Sequence, residues 1–342
     1  MARCIQLAKN AWEQAPPNPM VGAVVVCDGR IIGEGYHVRC GEGHAEVNAL
    51  ASVKPEDEHL LSQSTIYVSL EPCAHYGKTP PCADLIVRKG LRRCVVGCVD
   101  PFAKVQGRGI EKLRAAGIDV TVGVLEKECQ ELNKRFMTFH RLHRPFITLK
   151  WAQASDGVIG LKAVNSHPQN IGEQENRQQE PLRVSNEFTQ MICHKRRAEH
   201  EAILVGRGTV ENDRPSLTVR AWYGRHPQRV MLGRKEKLDA SLPDNCLDGW
   251  LCFDSIAQLT EGLWQRGVQS LLVEGGHQTL QSFIDAGVWD EAFVETGNKP
   301  FEADERQPVF APNLRNADLV DTAWYDGHRI DEWHHTPFSP GF

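Results

Sequence analysis

Short apolar runs of strand length recur along this chain, each followed by a stretch with helical spacing, and the series stops and restarts around Pro145. Residues 22–27 (GAVVVC) form one such run, and Asp28-Gly29 offers a tight turn into a second short strand at 30–33. Residues 44–53 have helical spacing, 65–70 read as a strand, and 82–89 as a helix closed by Gly90. A strand at 94–99, a helix at 110–116, a strand at 119–124 and one longer helix over 126–139 complete the first series. Strands alternating with helices imply a mixed sheet packed between helices, an α/β fold.

Pro145 disfavours helix in the residue before it, so a first domain over 1–143 and a second over 144–342 are expected. A chain of 342 residues also exceeds the size at which one core usually keeps growing. The second series has strands at 145–151, 202–205, 229–232 and 270–273, the last running into Glu274-Gly275-Gly276. Residues 163–181 are rich in Gln, Asn and Glu and read as a mobile surface loop. The tail beyond Asp326, with His334 and His335, shows no clear periodicity and reads as a solvated end without a role.

Composition narrows the function classes. A net charge of −5 carries no broad basic field for a nucleic acid. No run approaches the ~18 apolar residues of a membrane helix, and the N-terminus lacks a continuous signal-peptide core. Eleven cysteines, odd in number and scattered, point to a reducing, cytoplasmic setting.

Three of those cysteines and histidines stand apart from the rest. His44-Ala45-Glu46 is followed by Glu71-Pro72-Cys73 and then by Pro80-Pro81-Cys82. One imidazole and two thiolates make a soft donor set for zinc, and three protein ligands leave a fourth tetrahedral position for water. Glu46, two residues from His44, could move protons without ligating the metal, as hydrolytic deamination requires. A His-x-Glu followed by Pro-Cys marks zinc deaminases, although here eight residues, not two, separate the cysteines. The competing reading is a structural zinc clip closed by Cys40. The remaining eight cysteines read as core or incidental residues.

The segments PNPMVG at 17–22, HAE at 44–46 and EPCAHYGKTPPC at 71–82 closely resemble the bifunctional riboflavin-biosynthesis deaminase/reductase family. KWAQASDG at 150–157, AILVGRGTVENDRPSLTVR at 202–220 and LVEGG at 272–276 resemble its reductase half. The resemblance implies an N-terminal cytidine-deaminase-like three-layer α/β/α domain and a C-terminal dihydrofolate-reductase-like α/β domain. It implies deamination of 2,5-diamino-6-ribosylamino-4(3H)-pyrimidinone 5′-phosphate and then reduction of its ribosyl group to ribityl with NADPH. By motif match, His44, Cys73 and Cys82 hold Zn2+, Glu46 is catalytic, and Asn18, His37, Lys78 and Thr79 line the pyrimidine pocket. Gln153, Thr209, Asp213, Gly276 and His277 match cofactor positions, and Arg197, Leu217, Arg220 and Glu274 match substrate positions. Backbone N–H groups at a Gly-rich turn entering a helix suit phosphate, and an Arg fork suits the sugar phosphate. A homo-oligomer is also implied.

Some positions depart from the family pattern. The polar stretch 163–181 replaces a short Ser/Gly segment, Arg214 and Gly233 stand where acidic residues are usual, and Phe102 replaces an Asn after Asp100-Pro101. A nucleoside or nucleic-acid deaminase with a degenerate second domain, and a non-catalytic zinc-binding scaffold, are the alternatives.

Overall fold

The computed structural model describes residues 1–76, 80–102, 106–161, 183–240, 242–243, 245–302 and 306–336. It divides into two units, Met1–Arg144 and Pro145–Phe342.

The first unit opens with helix α1 (Ala2–Ala8), followed by β1 (Gly22–Cys27), β2 (Arg30–Tyr36), α2 (Ala45–Ala51) and β3 (Thr65–Leu70). Then come α3 (Cys82–Arg88), β4 (Arg93–Cys98), α4 (Arg108–Ala115), β5 (Asp119–Val122), α5 (Glu126–Leu132) and α6 (Lys134–Leu142). The strands form one sheet in the order β2-β1-β3-β4-β5. β1 runs antiparallel to β2 and β3, whereas β3, β4 and β5 are parallel. The apolar runs become strands because both faces are covered: Val25, Ile66, Val96, Ile86 and Leu113 share one buried core. Two glycines let α2 lie directly on β2. A Cβ at Gly33 would stand 2.5 Å from the Ala49 carbonyl oxygen, and one at Gly35 2.5 Å from the Ala49 nitrogen.

One expectation is corrected here. The single helix over 126–139 is two helices, broken at Asn133. The buried Asn133 side chain accepts the Met20 N–H at 2.8 Å and donates to the Met20 carbonyl at 2.9 Å. Its backbone leaves the helical region (φ −116°, ψ 26°). A side chain that satisfies both main-chain groups of a distant residue outweighs continuation of the helix. Asn133→Ala is therefore expected to destabilise this domain by about 2–4 kcal/mol, since two buried backbone groups lose their partner. Urea unfolding followed by circular dichroism checks this.

The second unit contains β6 (Phe146–Gln153), β7 (Val158–Leu161), α7 (Glu187–Glu199), β8 (Ala202–Gly206), α8 (Arg207–Asp213), β9 (Gln228–Leu232) and β10 (Leu251–Phe253). It continues with α9 (Ile256–Gln265), β11 (Ser270–Val273), α10 (His277–Ala286), β12 (Glu291–Thr296), β13 (Pro308–Phe310), β14 (Ala317–Tyr325) and β15 (His328–His335). An eight-stranded sheet runs β10-β9-β8-β11-β6-β12-β15-β14. Its first six strands are parallel, and β15 and β14 close one side as an antiparallel pair. β13 and β7 pair separately.

The tail is the second correction. Far from being a solvated end, residues 328–335 form an internal strand between β12 and β14. His335 is buried, lies 4.6 Å from the fully buried Trp289 ring and donates its backbone N–H to the Asp290 carbonyl. The segment 163–181 lies outside the described residues.

Candidate active sites

In the first unit, the chemistry gathers beyond the carboxyl ends of the parallel strands β3 and β4, where open α/β sheets hold their ligands. His44 is the N-cap of α2, and its side chain makes no cap hydrogen bond, so the ring is left for another task. The Asn48 amide donates to the Tyr36 and Gly43 carbonyls and fixes the chain as it enters that helix. Cys73 follows the end of β3, and Cys82 opens α3 behind Pro81. The Ala83 N–H donates to the Cys73 carbonyl and the Cys82 N–H to the Cys73 sulfur, so α3 fixes Cys73 from one side.

These elements bring three ligand atoms together. His44 Nδ1 lies 3.5 Å from Cys73 Sγ and 3.4 Å from Cys82 Sγ. A tetrahedral zinc with ordinary Zn–N and Zn–S bonds would set such atoms roughly 3.5 Å apart. Among the described residues this cluster contains those three ligands and no fourth, and Cys40 is exposed and outside it. The closed clip read as an alternative from the sequence is not formed.

The electrostatics also suit a cation. A hydrogen bond from Cys82 holds the Cys73 thiol down at about 4, against the cost of burial and with help from His44. The resulting charge, together with burial, pushes the Cys82 thiol far up. Contact with Cys73 raises His44. Burial first, and then Cys73, pushes the Glu46 carboxyl up to about 7. Two sulfurs and a carboxyl cannot all be anions in one pocket unless a positive charge sits among them. The residues therefore fit a divalent, thiophilic ion. Glu46 lies in the first turn of α2, is 3 % exposed and touches Cys82, yet is not part of the ligand cluster.

His37 and Asn18 join this site. His37 Nδ1 faces the Gly43 carbonyl at 3.1 Å, which can only accept, so that nitrogen carries the proton. His37 Nε2 is then an acceptor for the Asn18 amide at 3.1 Å. Burial lowers the His37 pKa, in keeping with a neutral ring, and this ring packs edge-on against His44 at 5.6 Å. Lys78 and Thr79 lie outside the described residues. Sequence reasoning missed the aromatic wall beside the ligand loop, in which Phe102 stands 5.1 Å from His140 and 6.3 Å from His75.

In the second unit the residues expected to bind cofactor and substrate also lie largely around the carboxyl ends of parallel strands. Glycines allow unusually close approach there. A Cβ at Gly206 would fall 2.2 Å from Thr279 Oγ1, and one at Gly275 2.6 Å from Val205 Cα. One at Gly276 would fall 3.2 Å from Thr209 Oγ1. Gly276 is the N-cap of α10, with no side chain over the helix end. His277 Nδ1 donates to the Phe310 carbonyl at 2.9 Å, which ties α10 to β13. Gln153, at the end of β6, accepts from Trp151 Nε1 and donates to Thr296 Oγ1. Asp213 lies exposed in the last turn of α8.

Arg197 and Glu274, both expected to contact substrate, pair with each other in this structure. Nε and Nη2 donate to the two carboxylate oxygens at 2.9 and 2.7 Å, and Nη1 donates to the Thr218 carbonyl. Burial opposes ionisation of Glu274, but the Arg197 hydrogen bonds and charge overcome it and hold the carboxyl low. Arg220 is exposed and contacts the hydroxyls of Ser216 and Thr218, while its backbone N–H donates to His194 Nδ1. Leu217, between those hydroxyl residues, is buried with a left-handed backbone (φ 53°). Arg197→Met would strip the largely buried Glu274 of its bidentate partner and leave it only the Cys193 thiol and the charge of Lys150, an expected loss of about 3–5 kcal/mol. Because pairing depresses the Glu274 pKa, the wild-type stabilisation is complete above the ordinary carboxylate range and fades as pH falls through the lowered value. Unfolding measured from pH 7 downward should show the variant's deficit shrinking under acid.

Both units resemble known proteins. Residues 1–98 match the cytidine and deoxycytidylate deaminase zinc-binding region, and residues 145–297 match the RibD C-terminal domain. The riboflavin biosynthesis protein RibD of Aquifex aeolicus is 38% identical over 322 residues, 86% of this chain and 85% of that protein. The chain belongs to the RibD family. RibD of Bacillus amyloliquefaciens is 35% identical, over 85% of this chain and 81% of its own length. RibD of Acinetobacter baumannii superposes with a TM-score of 0.80 at 27% identity, with 97% of each chain covered. A Thermotoga maritima structure described as a diaminohydroxyphosphoribosylaminopyrimidine deaminase and 5-amino-6-(5-phosphoribosylamino)uracil reductase gives a TM-score of 0.75 at 33% identity. That match covers 98% of this chain and 97% of the other. As a RibD-family member the chain is a bifunctional enzyme, with a zinc-binding, cytidine-deaminase-like N-terminal domain and a C-terminal reductase domain. A match through both domains favours this reading over a nucleic-acid deaminase or an inert zinc scaffold. Among the described residues no helix is long and apolar enough to cross a membrane.

Proposed function

We propose that the first domain hydrolytically deaminates 2,5-diamino-6-ribosylamino-4(3H)-pyrimidinone 5′-phosphate, and that the second reduces the ribosyl group of the product to ribityl with NADPH. The observation that carries this reading is the convergence of His44 Nδ1, Cys73 Sγ and Cys82 Sγ, with the buried Glu46 carboxyl beside them.

Held by those three atoms, zinc would supply Lewis acidity and bring the pKa of a coordinated water to roughly 7. Glu46 does the proton work. It takes a proton from the water that attacks the amine-bearing carbon and gives it to the ring nitrogen, then takes a second from the hydroxyl so formed and gives it to the departing amine, which leaves as ammonia. Burial raises the Glu46 carboxyl above the ordinary carboxylate range, which suits a group that both holds and releases a proton. Neutral His37 orients the Asn18 amide, whose oxygen then serves as an acceptor for the pyrimidine. By motif match Lys78 and Thr79, outside the described residues, are expected to contact the pyrimidine as well.

The second domain is read as dihydrofolate-reductase-like. The N-terminus of α10 at Gly276, beside Thr209 and His277, takes the cofactor's pyrophosphate, and Asp213 and Gln153 are further cofactor contacts by motif match. Arg220, with the Ser216 and Thr218 hydroxyls, suits the substrate's 5′-phosphate, and Leu217 and the Arg197–Glu274 pair border the sugar. We read the protein as cytoplasmic, in keeping with eleven free cysteines, and as a homo-oligomer.

Incubation with the diamino-pyrimidine ribotide, with and without NADPH, tests the whole reading by product mass. Without cofactor the product should have exchanged an amine for an oxygen; with it, two hydrogens should be added. Recovery of unchanged ribotide in both arms would overturn the proposal.

A further inference from the structure

Glu71 is the first residue after β3, two positions before the Cys73 ligand, and it is 4 % exposed. Nothing in the deamination chemistry above uses it. Its carboxylate nonetheless collects four backbone donors. One oxygen accepts from Asp100 at 3.3 Å and Gly107 at 2.9 Å, the other from Gly109 at 2.9 Å and Ile110 at 3.4 Å. Asp100 lies just beyond β4, and Gly107, Gly109 and Ile110 are the N-cap and first turn of α4. A helix start leaves such N–H groups without partners, and a residue 36 to 39 positions earlier supplies the acceptor.

A second observation locates the contact on the same turn. A Cβ at Gly109 would lie 1.9 Å from the Pro72 carbonyl oxygen and 3.3 Å from Glu71 Oε1. Helix α4 is therefore seated directly on the Glu-Pro-Cys segment. Pro72, between Glu71 and Cys73, has a ring-locked φ and no N–H, so it passes on the position of one neighbour stiffly to the other. Cys73 is thus held from both sides, by α3 through its own carbonyl and sulfur and by α4 through Glu71.

We propose that Glu71 is a positioning residue for the deaminase centre, its carboxylate fastening the Cys73 turn to α4 and to the end of β4 so that the Cys73 sulfur meets His44 and Cys82. This rests on the reading of those three residues as zinc ligands. Glu71→Gln keeps the shape but turns an amide donor toward backbone N–H groups, so up to half of the clamp is lost. Partners that orient a ligand from behind typically contribute about 10–100-fold to metal affinity.

The test compares the full-length wild type, Glu71→Gln and Leu61→Ala, a core change elsewhere in the domain. Chelator competition measures zinc affinity, and the cobalt-substituted proteins report thiolate-to-cobalt absorption. Glu71→Gln is expected to weaken zinc binding about 10–100-fold and to alter the cobalt spectrum. Leu61→Ala should lower thermal stability and leave both unchanged. A folded Glu71→Gln with wild-type zinc affinity and cobalt spectrum would overturn the proposal and leave Glu71 a helix cap alone. Should that variant not fold, Gly109→Ala decides, because it keeps the carboxylate but drives a methyl group into Pro72; wild-type affinity there overturns the proposal equally. A wild type that binds no zinc would instead remove the ligand reading itself.

Discussion

Glu46→Gln should bind zinc stoichiometrically, fold as the wild type does, and deaminate the ribotide at least about 100-fold to 10,000-fold more slowly. The amide fills the same volume, so the buried first turn of α2 and its contact with Cys82 persist. What disappears is the exchangeable proton. No other described carboxylate belongs to the ligand cluster or is shown in contact with both His44 and Cys82. The reductase should be untouched, so NADPH oxidation with the deaminated ribotide as substrate should proceed at the wild-type rate. That internal control separates a chemical defect from a folding one. Equal deamination by wild type and variant would remove Glu46 from the mechanism.

The second large effect concerns the ligands. Cys82→Ser replaces a sulfur that both faces His44 Nδ1 and opens α3. Serine oxygen stays protonated near neutral pH and is a poor partner for zinc, so the variant should lose stoichiometric zinc and fall to background deamination. Binding to the folded state alone also stabilises it. At free zinc a thousand-fold above the dissociation constant this amounts to about 4 kcal/mol. Chelation of the wild type should therefore lower the unfolding temperature of the N-terminal domain, and Cys82→Ser should show no such response. Retention of zinc and turnover by Cys82→Ser would contradict the assignment of that ligand.

The three side chains that converge here could be picked out from the sequence because short motifs carry them. His44 and Glu46 share the start of one helix, and Cys73 and Cys82 sit at a strand end and a helix start, so short motifs carry most of the geometry. The strands were legible for a similar reason, since β1 and β8 are unbroken apolar runs covered on both faces. What stayed hidden depends on partners far away in the chain. Asn133 breaks a helix only because Met20 lies 113 positions earlier. Glu71 reads as part of a cysteine motif until α4 is folded onto it. That Arg197 and Glu274, 77 positions apart, form a bidentate pair is likewise invisible in the sequence. His335 reads as a solvated terminus because β15 carries mixed polarity, although β12 and β14 flank it on both sides. Such pairings have no periodic signature; they exist only once the sheet order is set.

The most direct test of the whole account is X-ray absorption at the zinc edge on the full-length, zinc-loaded protein without substrate. The account predicts two sulfur and two nitrogen or oxygen neighbours, with bonds of about 2.3 and 2.0 Å, one of the lighter atoms coming from solvent. A shell of three sulfurs, which would bring in Cys40 or another thiol and close the coordination sphere, would contradict it.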